Sequence, residues 1–280
     1  MGTLGSLGTT GGERSARVFE RWLEPEAVPR VTGQLSCAMV RKSGSLSEAE
    51  LVEGLGREVV RNYVRPDELA AIFDDLSIPA VADHLRRNKF PSTVMIRHGD
   101  FGEIVAGAHY RLVARWCVPI LKLRYKQRPE QAIQGADVLA FRFLEDPPVI
   151  GVVEVKTRAT RKRQLGEEAH ESLEKVLGRL NESLTFVLAR CSERQQQFLV
   201  SQLGSLLRDP DHPVVARHMV FVHDTDAWED DVVDLLVEKV TDPTELMVVK
   251  IDGLQGFVSR VFGAAESAFS QPMSEPNETA

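Results

Sequence analysis

The stretch that decides the fold is Gly135-Ala136-Asp137-Val138-Leu139-Ala140-Phe141-Arg142-Phe143-Leu144-Glu145-Asp146-Pro147-Pro148-Val149-Ile150-Gly151-Val152-Val153-Glu154-Val155-Lys156. Residues 136–143 and 149–156 read as strands, and the five residues between them have the composition of a turn. The second strand begins Val149-Ile150-Gly151-Val152-Val153, apolar on both faces, which marks it as central in a sheet. Period two then sets Glu154 and Lys156 on one face, opposite Val153 and Val155. A buried carboxylate and ammonium must pair or hold a cation. Asp137 opens the preceding strand after Gly135, whose missing side chain leaves room for a backbone or a phosphate. A hairpin brings Asp137 beside Glu154 if the register of pairing allows it. Two carboxylates and an ammonium at one end of a small sheet suit metal-dependent phosphodiester hydrolysis. The same residues would equally serve a Glu154–Lys156 or Asp137–Lys156 ion pair at a sheet edge.

Upstream, Gly99-Asp100-Phe101-Gly102-Glu103-Ile104-Val105 opens a helix expected over 101–116. Ile104, Val105, Ala108, Leu112 and Val113 give it an apolar side, so Glu103 borders the core. A first-turn glutamate also serves the helix dipole. A strand over 120–125 and a polar loop over 127–134 lead to Asp137. Downstream, the periodicity predicts helices over 167–181, 193–207, 228–240 and 254–262, and strands over 185–189, 214–222 and 245–251. Nearer the N-terminus, 35–40 reads as a strand and 47–63 as a helix, with Ser47 and Glu50 forming a capping box. One or two helices over 66–90 are broken near Pro79, and Pro91 marks a boundary. The expected organisation is a disordered tail (1–12), a helical N-terminal region (13–95), a core (96–265) and a second disordered tail (266–280). The fold class is α/β (α+β), a mixed sheet flanked by helices.

Composition narrows the function. Hydrophobic residues at 43% and charged ones at 27% over 280 positions are ordinary for a soluble protein. The three cysteines are far apart and form no CxxC pair or Cys/His cluster, which argues against structural zinc and a disulfide framework. No stretch reads as a signal peptide or membrane span, so a reducing, cytoplasmic setting without a membrane partner is expected. Net charge is −7, yet from Tyr110 to Leu165 twelve Lys/Arg face five Asp/Glu, a local +7. Lys122, Arg124, Lys126 and Arg128 precede Asp137, and Arg158, Arg161, Lys162 and Arg163 follow Lys156. Polyanion binding follows local potential rather than total charge, so these eight are the candidate nucleic-acid contacts. A solvated helix start is the plainer reading of the second group.

Glutamate in a helix, a strand, Gly-x-Asp opening a second strand and Glu-x-Lys ending a third is an order that resembles the PD-(D/E)xK nucleases. The resemblance implies their restriction-endonuclease-like core, an α-β-β-β-α arrangement. More narrowly, Gly102-Glu103, the Lys122/Lys126 segment, Gly135-Ala136-Asp137 and Gly151-Val152-Val153-Glu154-Val155-Lys156 are similar to HamA, the nuclease effector of Hachiman anti-phage defence. Two superfamily features are absent: Ala136 stands where the motif's Pro would, and the helix after Lys156 lacks Gln-x-x-x-Tyr. The resemblance implies a Mg²⁺ (or Mn²⁺) ion held by Asp137, Glu154 and the Val155 carbonyl. Glu103 would complete that site or help to hold a second ion, and Lys156 would orient or activate the attacking water. It further implies DNA as substrate and a helicase partner, HamB, that holds the nuclease in check. The acidic segment Glu229-Asp230-Asp231 offers either a partner face or an ordinary amphipathic helix. A housekeeping repair or RNA-processing nuclease would need the same site. A catalytically silent interaction module would have no reason to keep Asp137, Glu154 and Lys156 together.

Overall fold

The computed structural model describes residues 17–65, 68 and 78–268. The expected tails fall outside them, apart from residues 266–268, and so does most of 66–77. The strands are β1 (Leu23–Pro25), β2 (Arg30–Thr32), β3 (Leu35–Lys42), β4 (Val138–Arg142), β5 (Val149–Arg158), β6 (Val214–Asp224) and β7 (Thr244–Ile251). Among the described residues they form one seven-stranded sheet in the order β1-β3-β7-β6-β5-β4, with β2 also pairing with β3. The middle strands β3, β7, β6 and β5 are mutually parallel. The edge strands β1, β2 and β4 run antiparallel to their neighbours, which makes the sheet mixed. Runs such as Val152-Val153 and Met219-Val220-Phe221-Val222 are buried throughout, as parallel strands covered on both faces must be.

Among the described residues eight α-helices surround the sheet: α1 (Glu48–Tyr63), α2 (Ile78–Asn88), α3 (Val94–Ala108), α4 (Leu165–Leu177), α5 (Leu180–Glu193), α6 (Gln197–Arg208), α7 (Asp231–Val237) and α8 (Leu254–Ser267). On one face Leu55 and Val59 of α1, Ile104 and Val105 of α3, and Phe257 and Val261 of α8 pack with Val153, Val155, Val220 and Val249. On the other, Leu173 of α4, Leu184 of α5, Leu203 of α6 and Leu236 of α7 pack with Val152, Phe221, Leu246 and Val248. Alternation along each strand supplies both layers. Each such side chain contributes about 1.5–3 kcal/mol of burial. The capping box forms as the sequence predicts: Glu50 N–H donates to Ser47 Oγ at 3.3 Å, and Ser47 N–H donates to Glu50 Oε2 at 2.9 Å.

The structure corrects four expectations. Residues 120–125 do not join the sheet; Lys122–Tyr125 is a 3-10 turn. Leu123 is buried in the core while Arg124 donates to the Arg61 carbonyl, so the apolar alternation serves packing instead of a ladder. Residues 185–189 are helical, because Leu184, Val187 and Cys191 share a buried face at helical spacing in α5. Helix α3 begins at Val94 rather than at 101, which leaves Glu103 in its interior, away from the first turn and its dipole. The segment 13–95, expected to be helical, also supplies β1, β2 and β3, and β3 sits beside β7 within the sheet. Within 66–90, α2 carries Pro79 in its first turn, where the missing N–H costs little.

Candidate active site

The β4–β5 hairpin sets the geometry. Its register pairs Val138 with Val153 and Leu139 with Val152. One step beyond the last pair, Asp137 comes beside Glu154. The Val155 N–H donates to Asp137 Oδ2 at 2.8 Å, so this carboxylate is fixed by the backbone of the strand it faces. Gly135, two residues earlier, has φ of +95°, a conformation that favours glycine.

Glu154 and Lys156 share the face that packs against α4. Glu154 is 7% exposed, and Lys156 Nζ donates to its Oε1 at 2.6 Å. The same ammonium reaches Ser172 Oγ on α4 at 3.3 Å. Burial raises the Glu154 carboxyl to about 7, with the charge of Asp137 adding to the rise and Lys156 opposing it.

Glu103 approaches from the other face of the sheet, and Gly102 makes that approach possible. A Cβ at Gly102 would lie 2.0 Å from Thr157 Oγ1 and 2.9 Å from Val155 Cγ1, so only glycine lets α3 rest on β5 there. Burial pushes the Glu103 carboxyl up to about 8, Lys122 pulls against it, and Asp137 and Asp100 push it further. Its Oε2 is enclosed without a hydrogen-bond donor. Lys122 Nζ bridges the carboxylates, 3.8 Å from Glu103 Oε2 and 3.4 Å from Asp137 Oδ1, and donates to the Ala136 carbonyl at 3.2 Å. Burial alone would lower this ammonium, but Glu103 and Asp137 turn the balance and raise it. Among the described residues no three acidic, His or Cys side chains close around a point by themselves.

Of the expected phosphate contacts, Lys122 therefore lies within the carboxylate cluster. Lys126 is 4% exposed and spends both Asp100 oxygens, at 2.5 and 2.7 Å, so it is a buried partner and no surface grip. Tyr63 also donates its hydroxyl to Asp100, whose carboxyl burial raises although Lys126 and Tyr63 pull it down. Arg124 is turned to the Arg61 carbonyl, while Arg128 is exposed on the loop before Asp137. Arg158 ends β5, half-buried. Beyond it Arg161 pairs with Glu229 at 3.2 Å, Lys162 with Glu168 at 2.8 Å and Arg163 with Asp231 at 3.2 Å. Arg161 and Arg163 of the loop after β5 thus face the acidic start of α7, while Lys162 turns to α4.

Sequence reasoning missed Ser172 and the bridging place of Lys122. Ser172 lies sixteen residues after Lys156 on a face otherwise marked only by buried Leu165, Ala169 and Leu173, and nothing local signals its contact.

A model of the HamA family matches residues 17–265 of the 280. The chain belongs to the HamA family. The match covers both faces of the sheet, including all four cluster residues Glu103, Asp137, Glu154 and Lys156. Membership in HamA makes the chain a component of Hachiman anti-phage defence, which implies a HamB partner. A search of curated proteins found no match. Among the described residues of this HamA-family chain, no helix is long and apolar enough to cross a membrane.

Proposed function

We propose that this chain is a divalent-cation-dependent nuclease, the sequence-independent DNA-cutting effector of its Hachiman system, governed by a HamB helicase. The observation that carries the reading is the placement of Asp137, which accepts the Val155 N–H and sits beside Glu154, two residues before Lys156 on the same strand. HamA membership favours defence over a repair or RNA-processing role for such a site.

The residues fit a hard, oxygen-seeking cation. Asp137, Glu154 and Glu103 are carboxylates, and the enclosed Glu103 Oε2 has no donor. Burial holds two of the three above the ordinary carboxylate range, so both gain from a positive charge nearby. The Lys122 ammonium already supplies such a charge between Glu103 and Asp137. Mg²⁺ or Mn²⁺ held by Asp137 and Glu154, with Glu103 closing on the same ion or serving a second, would polarise the scissile phosphate and acidify an attacking water.

The protein's own groups do the rest. Lys156 Nζ, tethered to Glu154 and Ser172, is a fixed donor that orients the water and stabilises charge gathering on the phosphorane. Glu154 keeps that ammonium aimed. Lys122 limits repulsion among the carboxylates, and the exposed Arg128 and half-buried Arg158 would grip phosphates without any base being read.

Supercoiled plasmid incubated with the purified chain and Mg²⁺ or Mn²⁺ should be nicked and degraded, and EDTA should stop it. Glu154→Gln and Lys156→Ala should each slow cleavage about a hundredfold or more while the fold survives. Wild-type rates in both folded variants would remove these residues from the chemistry.

A further inference from the structure

Beside the carboxylate cluster lies a cavity of about 600 Å³, within the size range of small-molecule sites. Much of its wall is apolar, from Ile120, Leu139, Val176, Phe186 and Val187, and Glu182 and Ser183 of α5 line it too. Lys122 and Asp137 line it as well, so it is continuous with the site described above. Helix α4 joins the two regions along one face, since Ser172 meets Lys156 and, one turn on, Val176 meets the cavity, while Arg179 follows in the turn between α4 and α5. Lys175 and Arg179 lie on its rim, exposed, and among the described residues neither side chain has an acidic partner. In contrast, Arg161, Lys162 and Arg163 are all paired. Gly135 forms the opposite lip, where a side chain would meet Ser183 Oγ at 3.1 Å and narrow the mouth.

A largely apolar cavity with an aromatic residue in its wall, free cations at its mouth and the carboxylate cluster beside it has the chemistry of a nucleotide subsite. Base stacking is sequence-tolerant, and the cations would hold the adjoining phosphates. We infer that the cavity takes an unpaired nucleotide flanking the scissile phosphate, with its base against Phe186 and its phosphates on Lys175 and Arg179. The strand being cut is therefore presented single-stranded at the site. This rests on the nuclease reading and adds the state of its substrate.

The test is binding in EDTA, where no cleavage occurs. Short single-stranded oligonucleotides, deoxyribo and ribo side by side, carry 2-aminopurine as the reporter base. Wild-type protein should change the 2-aminopurine fluorescence, and Val176→Trp, which narrows the cavity, should weaken binding about tenfold. Blunt duplex should bind less tightly and respond less to that substitution. Should Val176→Trp disturb the fold, the exposed pair Lys175→Ala with Arg179→Ala serves instead. Loss of two single-strand phosphate contacts should reduce the slope of log affinity against log salt by about 1.4. Cavity-dependent binding of either oligonucleotide supports the inference, and the tighter one names the sugar. Affinity and fluorescence indifferent to both sets of substitutions would overturn it, and so would a cavity that takes free dAMP but no oligonucleotide. Plasmid cleavage by the wild type is scored separately: binding without cleavage sinks the nuclease reading, and cleavage without cavity-dependent binding sinks only the subsite.

Discussion

Asp137 and Glu154 meet because two strands pair in one register, and Glu103 joins them because glycine precedes it. Their surroundings set a pH dependence that can be measured without activity. The folded protein holds Glu103 at about 8 and Glu154 at about 7, against an ordinary 4.5 in the unfolded chain. Between those values the folded state binds more protons than the unfolded one, so this contribution to stability is complete at low pH. It is lost as pH rises through the folded values. His98, His109 and His223, which burial holds below their usual range, act in the opposite sense as pH falls. The readout is therefore a difference. In EDTA, the melting temperature of Glu103→Gln/Glu154→Gln minus that of wild type should grow from about pH 5 to about pH 8. Mg²⁺ should raise the wild-type melting temperature more at pH 8 than at pH 5.5, because a bound cation requires the ionised carboxylates. A flat difference across that range would mean that neither carboxyl is held neutral by the fold. At this scale the sequence marked Glu103, Asp137, Glu154 and Lys156 as ionisable residues where an apolar core would not choose them. It did not mark Ser172, whose partner is chosen by the docking of α4.

Helix α3 and strand β5 touch at a point where no side chain fits. Gly102→Ala should push α3 from β5, at a cost of about 1–3 kcal/mol from overpacking, and should carry Glu103 out of reach. Thermal melting and plasmid cleavage check this together, and an unshifted melting temperature would show that the helix slides without penalty. A second pair of elements meets through charge: the loop after β5 and the acidic start of α7, joined by Arg161–Glu229 and Arg163–Asp231. Exposed pairs of this kind contribute about 0–1 kcal/mol each, so Glu229→Gln with Asp231→Asn should barely change stability. It should release two guanidiniums for phosphate, strengthening duplex binding at low salt and steepening its salt dependence. Unchanged binding would place Arg161 and Arg163 away from the nucleic acid. Helices with long apolar periods, such as α1 and α8, were legible from spacing. Residues 120–125 and 185–189 were not, since short apolar runs suit strand and helix alike until packing decides.

For the whole molecule, the acidic balance of −7 coexists with a basic stretch from Tyr110 to Leu165, and an unrestrained nuclease would attack its own host's DNA. Co-expressed with a HamB helicase, the chain should co-purify with it and cleave plasmid poorly. Cleavage should return when ATP and a DNA end or single-stranded region are supplied. Equal cleavage by the free and the bound chain would place control elsewhere. Amino-acid order by itself determined the β4–β5 hairpin, its Asp137, Glu154 and Lys156, the capping box and the helical face of α1, because each depends on neighbours within a few turns or on a pleat of period two. Only the tertiary structure decided that β3 enters the sheet beside β7, that Lys122 and Lys126 turn inward to carboxylates, and that a cavity opens between β4, α4 and α5 beside the cluster. Those outcomes depend on contacts between distant segments, whose energies exist only once helices and sheet have docked.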